Sequence, residues 1–447
     1  MMIGLLSVFL ATAAPELNIQ DFGAISGGAD DTAAIQRAFD KAQQMGGARV
    51  KIPIGTFTLS SVVMPTKTEL VGEGPGSVLQ RLPDSIGRMI TANPLSGPGA
   101  STAPNIEDIV IKNLTLRDAN PIADYMAVYR KMQQYHLVGI YGVDRLTVDN
   151  VDFFGWRGDA LYLGSGDAKS FVRHNRDVVI RNCRFDGYDR KNRNAISIGD
   201  ASGILIEKNS FKNCSSASSP GQIDFEMNKD PGHTYTDVVV QDNTFTNNGG
   251  TAIVFDIAYG TEKMGRPLSN VKILRNVIKN QQRRGILLNI YADRDEKTPD
   301  MKTIIEDNRI TGADIPIAIE GWKGLLVRGN QISDTQQGIH VGYGPFGHGA
   351  QDVTVTGNTF SNVAFGESGN KGSAVIIFNA IGVTVTNNNV NGALDSVVLF
   401  RGGKGGGEAK RVSISGNKIN GRSQGKEAFR TASTAYQLDR STLSVGG

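Results

Sequence analysis

The sequence predicts an all-β chain wound as a right-handed parallel β-helix solenoid, closed at its N-terminal end by one capping α-helix. Three observations carry that expectation: a composition built for tight turns, a strand-sized phrase repeated along the chain, and a single helical pattern ahead of it. Of 447 residues, 39% are hydrophobic and 20% charged, enough apolar material for a large core and too much for a disordered chain. Gly numbers 54 and Trp only 2, a mix suited to many turns rather than long helices. Lys and Arg number 47 against 44 Asp and Glu, a net charge of +3. That balance argues against a protein that coats nucleic acid or an anionic membrane.

At the start, Ile3 to Ala14 is an apolar run ending Ala11-Thr12-Ala13, the form of a secretory h-region and cleavage site, although no Lys or Arg precedes it. The run is too short to span a bilayer. A signal peptide over residues 1–14 and a secreted or periplasmic location are therefore expected. Cys183 and Cys214, the only cysteines, fall at different points of the repeat and are expected to stay unpaired. They are also too few for a structural zinc site, so a bound metal would be a hard cation on oxygen.

The helical pattern comes next. Asp30 or Asp31 suits an N-cap, Ile35, Ala38, Phe39 and Ala42 follow i, i+3, i+4, i+7 spacing, and Gly46-Gly47 stops the helix. A solenoid end exposes strand edges and core, and this helix would cover them.

The repeat organises the rest. Its first half reads ILIEKNSF from Ile204, VVVQDNTF from Val238, VKILRNVI from Val271 and TIIEDNRI from Thr303. It returns from Leu325, Val353, Val383 and Val412, and more loosely from Ile109, Leu146 and Val178, where Leu114, Val151 and Cys183 stand in the Asn position. The second half reads AISIGD from Ala195, QIDFEM from Gln222, AIVFDI from Ala252 and GILLNI from Gly285. Alternation of period two means strand, and start-to-start separations from 22 residues (Thr303 to Leu325) to 37 (Ile109 to Leu146) mean one coil per repeat. A propeller blade does not fit in 22 residues. Equivalent residues then stack at about 4.8 Å, so Asn209, Asn243, Asn276, Asn308, Asn330, Asn358, Asn388 and Asn417 would form an internal ladder. The tail, residues 422–447, breaks the repeat and either lies along the solenoid or frays.

The stretch DFGAISGGADDTAAIQRAFDKAQQMGGARVKIPIGTFTLSS, Asp21 to Ser61, resembles the opening of the pectate-lyase-type β-helix proteins. That superfamily contains polysaccharide lyases, uronan epimerases, polygalacturonase-like hydrolases and phage tailspike depolymerases. With the coils behind it, the resemblance covers residues 18–421, of which 18–61 would be the cap and first strands. It implies the fold and an acidic polysaccharide as substrate. It also implies a chain that works as a monomer, as the exported enzymes do, with a tailspike-like trimer as the alternative. Neither the paired-aspartate signature of polygalacturonase-type hydrolases nor the Asp-Pro-His-Glu signature of mannuronan epimerases is present, which lowers both of those readings, and lysis is the expected reaction.

Alternation also assigns faces. Ile196, Ile198, Ile223, Phe225, Ile253 and Phe255 point inward, leaving one outer row of Tyr162, Ser197, Asp224, Val254 and Leu287, and beside it Gly164, Gly199, Glu226, Asp256, Asn289 and Glu320. Asp224 and Glu226 would lie about 7 Å apart along a strand, and Asp256 about 5 Å from Glu226 across the stack. Carboxylates that close cannot all ionise cheaply. Either one holds a proton, or a cation compensates, whether Ca²⁺ on Asp224, Glu226 and Asp256 or a neighbouring Lys or Arg. The turn YDRKNRN before Ala195 supplies Tyr188, Arg190, Lys191 and Arg193. Long insertions after the second strands carry Arg173, His174, Lys229, His233, Tyr235, Tyr259 and Arg294 and would wall a groove.

Lysis of a uronan needs neutralisation of the carboxylate, a base for the C5 proton and an acid for the departing O4. The expected roles are Arg193 or a cation for neutralisation, Lys191 as base, and Tyr188 or Tyr259 as acid, with Arg190, Tyr162, His233, Tyr235, Tyr259, Arg173, Asn289 and Glu320 binding substrate. The alternatives are a hydrolase or epimerase using Asp224, Glu226 and Asp256, and a carbohydrate-binding solenoid without catalysis.

Overall fold

The computed structural model describes residues 14–446 apart from 95–99, 101, 104, 120–131, 165–166, 169–170, 228–233, 258–267, 292–298, 343–348, 364–371, 393, 402–407 and 432–436. The expected leader over 1–14 therefore lies almost wholly outside the described residues. No helix among them is long and apolar enough to cross a membrane.

The chain is a parallel β-helix, right-handed as crossovers between parallel strands are. A typical coil has three straight segments. Among the described residues, Ala201–Glu207 and Ser210–Lys212 belong to a sheet of 28 strands that bends between them, and Gly221–Met227 belongs to a second sheet of 13. Each segment pairs with its equivalent one coil away, as Ile204↔Val238 and Phe211↔Phe245 show. The alternation read from the sequence is the one observed: Ile196, Ile198, Ile223, Phe225, Ile253 and Phe255 are buried. Inside the solenoid, like residues stack. Phe153, Phe185, Phe211 and Phe245 lie ring on ring with centroids 4.7, 4.8 and 4.6 Å apart, close to the strand spacing.

The asparagine ladder forms as expected. From Asn209 to Asn388, each backbone N–H and each side-chain amide donates to the Oδ1 of the next, as when Asn308 donates from both to Asn330 at 2.9 Å. Cys183 occupies the preceding rung and its N–H still donates to Asn209 Oδ1 at 2.9 Å. At the far end Asn417 donates to Gln424 Oε1 at 2.8 Å, which closes the column. The residue before each rung bends the sheet through a left-handed conformation, φ near +55° at Lys208, Asp242, Asp307 and Asn387.

The cap is the helix α1, Thr32–Gln44, which buries Ala34, Ile35, Ala38, Phe39 and Ala42. Asp30 caps its first turn by accepting from the Thr32 N–H at 2.9 Å, while Asp31 ties the Ile25 and Thr58 N–H groups. At the other end the tail does not fray where it is described. Phe429–Thr431 adds a strand beside Leu394–Phe400, and Gln437–Leu438 and Ser444–Val445 pair with Glu408–Ser415. Cys183 and Cys214 are free and buried.

Candidate functional site

The outer face of the 13-strand sheet carries the rows the alternation placed there. The register joins Tyr162 to Ser197, Ser197 to Asp224 and Asp224 to Val254, and in the next row Glu226 to Asp256, Asp256 to Asn289 and Asn289 to Glu320. Residues far apart in the chain thus meet on one surface.

Arg193 is the hub. Its Nη1 donates to both Asp159 oxygens, at 2.8 and 2.7 Å, and its Nη2 donates to Glu226 at 2.9 Å. Burial works against this charge, but Asp159, Glu226 and Asp224 together outweigh it and hold the guanidinium charged well above its ordinary range. The arginine thus offsets part of the carboxylate charge. Asp224 is fully buried, accepts from the Asn194 side chain at 2.8 Å, and keeps an Oδ1 without a hydrogen bond among the described residues. Burial first, then the Glu226 charge, push its carboxyl well above the usual range, with Arg193 pulling the other way. Asp256 is also raised, chiefly by burial, although Asn289 donates to it at 2.7 Å. Burial lifts Glu320 to about 7.

One coil below Ser197, the Tyr162 ring lies flat on His136, centroids 4.7 Å apart and 5° from parallel. Burial, with Asp159 and Glu226 behind it, raises the Tyr162 phenol to about 12, so it holds its proton at neutral pH. His136 is fully buried. Desolvation, aided by the charges of Arg88 and Arg193, keeps it neutral. Its Nδ1 accepts from the Asp159 N–H at 3.0 Å, which assigns the ring proton to Nε2.

Several expected site residues are elsewhere. Tyr188 is half exposed and packs edge-on against Phe154 at 5.9 Å, around the corner of the coil, with a backbone φ of +67°. Lys191 points to solvent and ion-pairs with Asp189 at 3.4 Å, so it lacks the buried, cationic surroundings that would make it a base. Arg190 is exposed in the same turn. Arg193 does reach the site, yet its guanidinium is taken by Asp159 and Glu226 instead of standing open for a substrate carboxylate. Tyr235 is not a loop residue: it opens the strand Tyr235–Gln241 in register with Ala201, faces the core, and donates to the Ile198 carbonyl at 2.6 Å. Arg173 is buried and donates to the carbonyls of Asn93 and Ala103. His174 pairs with Asp200 at 2.7 Å. Lys229, His233, Tyr259 and Arg294 lie outside the described residues. No three His, Cys, Asp or Glu side chains among the described residues gather as a metal site, because Asp224 turns to Asn194 and Asp256 to Asn289.

Sequence reading missed His136, Asp159 and Asn194. The register Val138↔Leu161↔Ile196 puts all three at one height, two residues ahead of their strands. Aligning DALYL from Asp159 with NAISI from Asn194 would have found two of them.

The family described as the right handed beta helix region matches residues 109–293 and 269–439. Among curated proteins, the chain is similar to a mannuronan C5-epimerase of Azotobacter vinelandii, AlgE3, 33% identical over 97 residues, which are 20% of this chain and 5% of that protein. Alginate lyase 7 of the same organism is 33% identical over 110 residues, 23% of this chain and 12% of the relative. The chain thus spans only a small part of the length of these relatives. Among solved structures, PfbA, a surface adhesin of Streptococcus pneumoniae, aligns with a TM-score of 0.58 at 19% identity over 91% of this chain and 90% of that one. The A-module of the mannuronan C-5 epimerase AlgE6 of Azotobacter vinelandii aligns at 0.52 and 16% over 96% and 98%. At such identities the likeness is one of fold, and an epimerase and an adhesin share it. The match over residues 109–439 places the chain in the right-handed β-helix family.

Proposed function

We propose that the chain is a glycan-active enzyme that cleaves an acidic, uronic-acid-containing polysaccharide by β-elimination. The observation that carries this reading is that one outer face holds both a phenol that keeps its proton, Tyr162, and a part-exposed carboxylate clamped by arginine, Glu226. Glu226 takes the C5 proton, the C4–O4 bond breaks as the C4–C5 double bond forms, and O4 leaves with the proton of Tyr162. The Asn289 amide, held in place by Asp256, hydrogen-bonds the substrate carboxylate and makes the C5 proton more acidic. The sequence likeness to an alginate lyase and to mannuronan epimerases, whose names carry uronan chemistry, supports the substrate class. Export would bring such an enzyme to its polymer. No step requires Ca²⁺, since Arg193 offsets the carboxylates.

The test is a panel of alginate, pectate, gellan-type polymer and glucuronan, followed by the ultraviolet absorbance of unsaturated ends, with and without a chelator. A rise in absorbance that Tyr162→Phe abolishes supports the reading. No rise on any uronan defeats it.

One observation favours a second reading. Asp256 is raised and sits one coil from Glu226, about 5 Å by strand spacing. Two carboxyl groups at that spacing, one of them raised by burial, suit the acid and nucleophile of retaining glycoside hydrolysis. Reducing ends without unsaturation, surviving Tyr162→Phe, would mark that chemistry. Binding without any cleavage would instead make the chain a carbohydrate-binding solenoid.

A further inference from the structure

Toward the N-terminal end of the same face lies a second group of residues that the proposed reaction does not use. Gly139 stands in the outer row between Thr91 and Tyr162. A Cβ there would lie 2.9 Å from Arg88 Cδ, 3.4 Å from Arg88 Nε and 3.4 Å from Tyr141 Oη. Only a residue without a side chain lets Arg88 cross the sheet at this point. The Arg88 guanidinium lies 4.8 Å from the centre of the Tyr141 ring, and Nη2 donates to Gln134 Oε1 at 2.7 Å. Tyr141 in turn lies over Gly164, where a Cβ would come within 2.6 Å of its ring, and tilts against Tyr162 at 5.8 Å.

Two features distinguish this group from ordinary packing. Three buried arginines at this end of the face have acidic partners, Arg81 and Arg157 sharing Asp118 and Arg193 holding Asp159 and Glu226, while the buried Arg173 donates to backbone carbonyls. Arg88 makes no ion pair among the described residues. Moreover, Arg88 Nε and Tyr141 Oη are both buried without a hydrogen-bond partner, although both lie over the same glycine. Two unmet donors converging on one spot, one of them cationic, call for an anionic acceptor.

We propose that Arg88, Tyr141 and Gly139 form a subsite for the carboxylate of a further uronate residue, three coils on the N-terminal side of Asp224. The inference rests on the acidic-polymer reading given above. Gly139, Tyr162, Ser197 and Asp224 follow one another in register, so the subsite lies about 14 Å from Asp224 at the strand spacing. A glycan laid along the helix axis reaches both places only if it is longer than a disaccharide. The aromatic layer of Tyr141 and Tyr162 gives the intervening sugar rings an apolar floor.

The experiment measures binding of uronate oligosaccharides of defined length to the full chain by calorimetry, for the wild type, Arg88→Gln, Arg88→Lys and Gly139→Ala, after each is shown to fold by circular dichroism. Arg88→Gln is expected to weaken hexasaccharide binding about tenfold or more, with a shallower salt dependence, while a disaccharide binds as before. Arg88→Lys, which keeps the charge, should recover part of the loss. Gly139→Ala should reproduce the Arg88→Gln effect by displacing the arginine, and it stands in if Arg88→Gln fails to fold. Cleavage of a uronan by the wild type, with hexasaccharide binding unchanged in both Arg88→Gln and Gly139→Ala, overturns the subsite and leaves the function standing. A wild type that neither binds nor cleaves any uronan overturns both.

Discussion

Three consecutive asparagines, Asn387, Asn388 and Asn389, meet three different environments. Asn388 is a ladder rung: its Oδ1 accepts from the Asn358 N–H at 2.9 Å and from the Asn358 side chain at 3.0 Å, and its Nδ2 donates to the Val355 carbonyl and to Asn417 Oδ1. Asn388→Ala strands the buried Asn358 N–H, while the Asn358 side-chain amide keeps the Val327 and Thr356 carbonyls as acceptors. At about 1–3 kcal/mol for one stranded donor, the expected loss is about 1–3 kcal/mol. Asn389 is exposed in the next strand, so Asn389→Ala should change stability by no more than about 0.5 kcal/mol. Asn387 sits at φ +55°, where a Cβ-bearing residue lacking the Asn side chain costs about 1–2 kcal/mol. Urea unfolding followed by circular dichroism ranks the three, and hydrogen exchange at the Asn358 amide reports the stranded donor even if coils unfold separately. An Asn388→Ala protein as stable as Asn389→Ala, with Asn358 still protected, would refute the reasoning.

The site yields further expectations. Tyr162→Phe should remove lytic activity, measured as ultraviolet absorbance, while Lys191→Ala and Tyr188→Phe leave it near wild type because both side chains face away. Glu320, lifted to about 7 from an ordinary 4.5, is protonated more readily in the folded chain than in the unfolded one. Its contribution is therefore intact below about pH 4.5 and is lost as pH rises through 7; the gap is worth about 3 kcal/mol. Glu320→Gln should accordingly stabilise the protein at pH 8 and not at pH 4.5, as melting curves would show. Burial raises the Cys183 thiol to about 12 and Cys214 higher still, so neither should react with a thiol reagent at neutral pH until the chain unfolds.

Much of this molecule is legible in its sequence because a solenoid makes distant positions equivalent. Once the Asn of TIIEDNRI and LLVRGNQI are placed at one height, the ladder and the row Tyr162, Ser197, Asp224 follow from strand periodicity alone. The same periodicity places Glu226 beside Asp256. It fails at the corners, where chain direction depends on left-handed residues and not on alternation. Tyr188 and Lys191 belong to such a corner, and adjacency to Arg193 in sequence says nothing of their direction. Tyr235 misleads for the opposite reason: it looks like the end of a long insertion, yet it is the first residue of a strand. The roles of Asp159 and His136 depend on Arg193 bridging coils, which no single-coil pattern encodes.

Because the amide column runs unbroken from Asn209 to Gln424, the outer face can be lengthened or shortened only by whole turns. Excising Thr303 to Gly324 would set Asn330 directly on Asn276 and restore every amide contact, while a deletion that is not a whole coil would leave the column out of step. On the polymer-binding role proposed above, reach would thus be counted in discrete notches, and a change in the number of notches would alter the length of glycan gripped without redesigning a single contact inside.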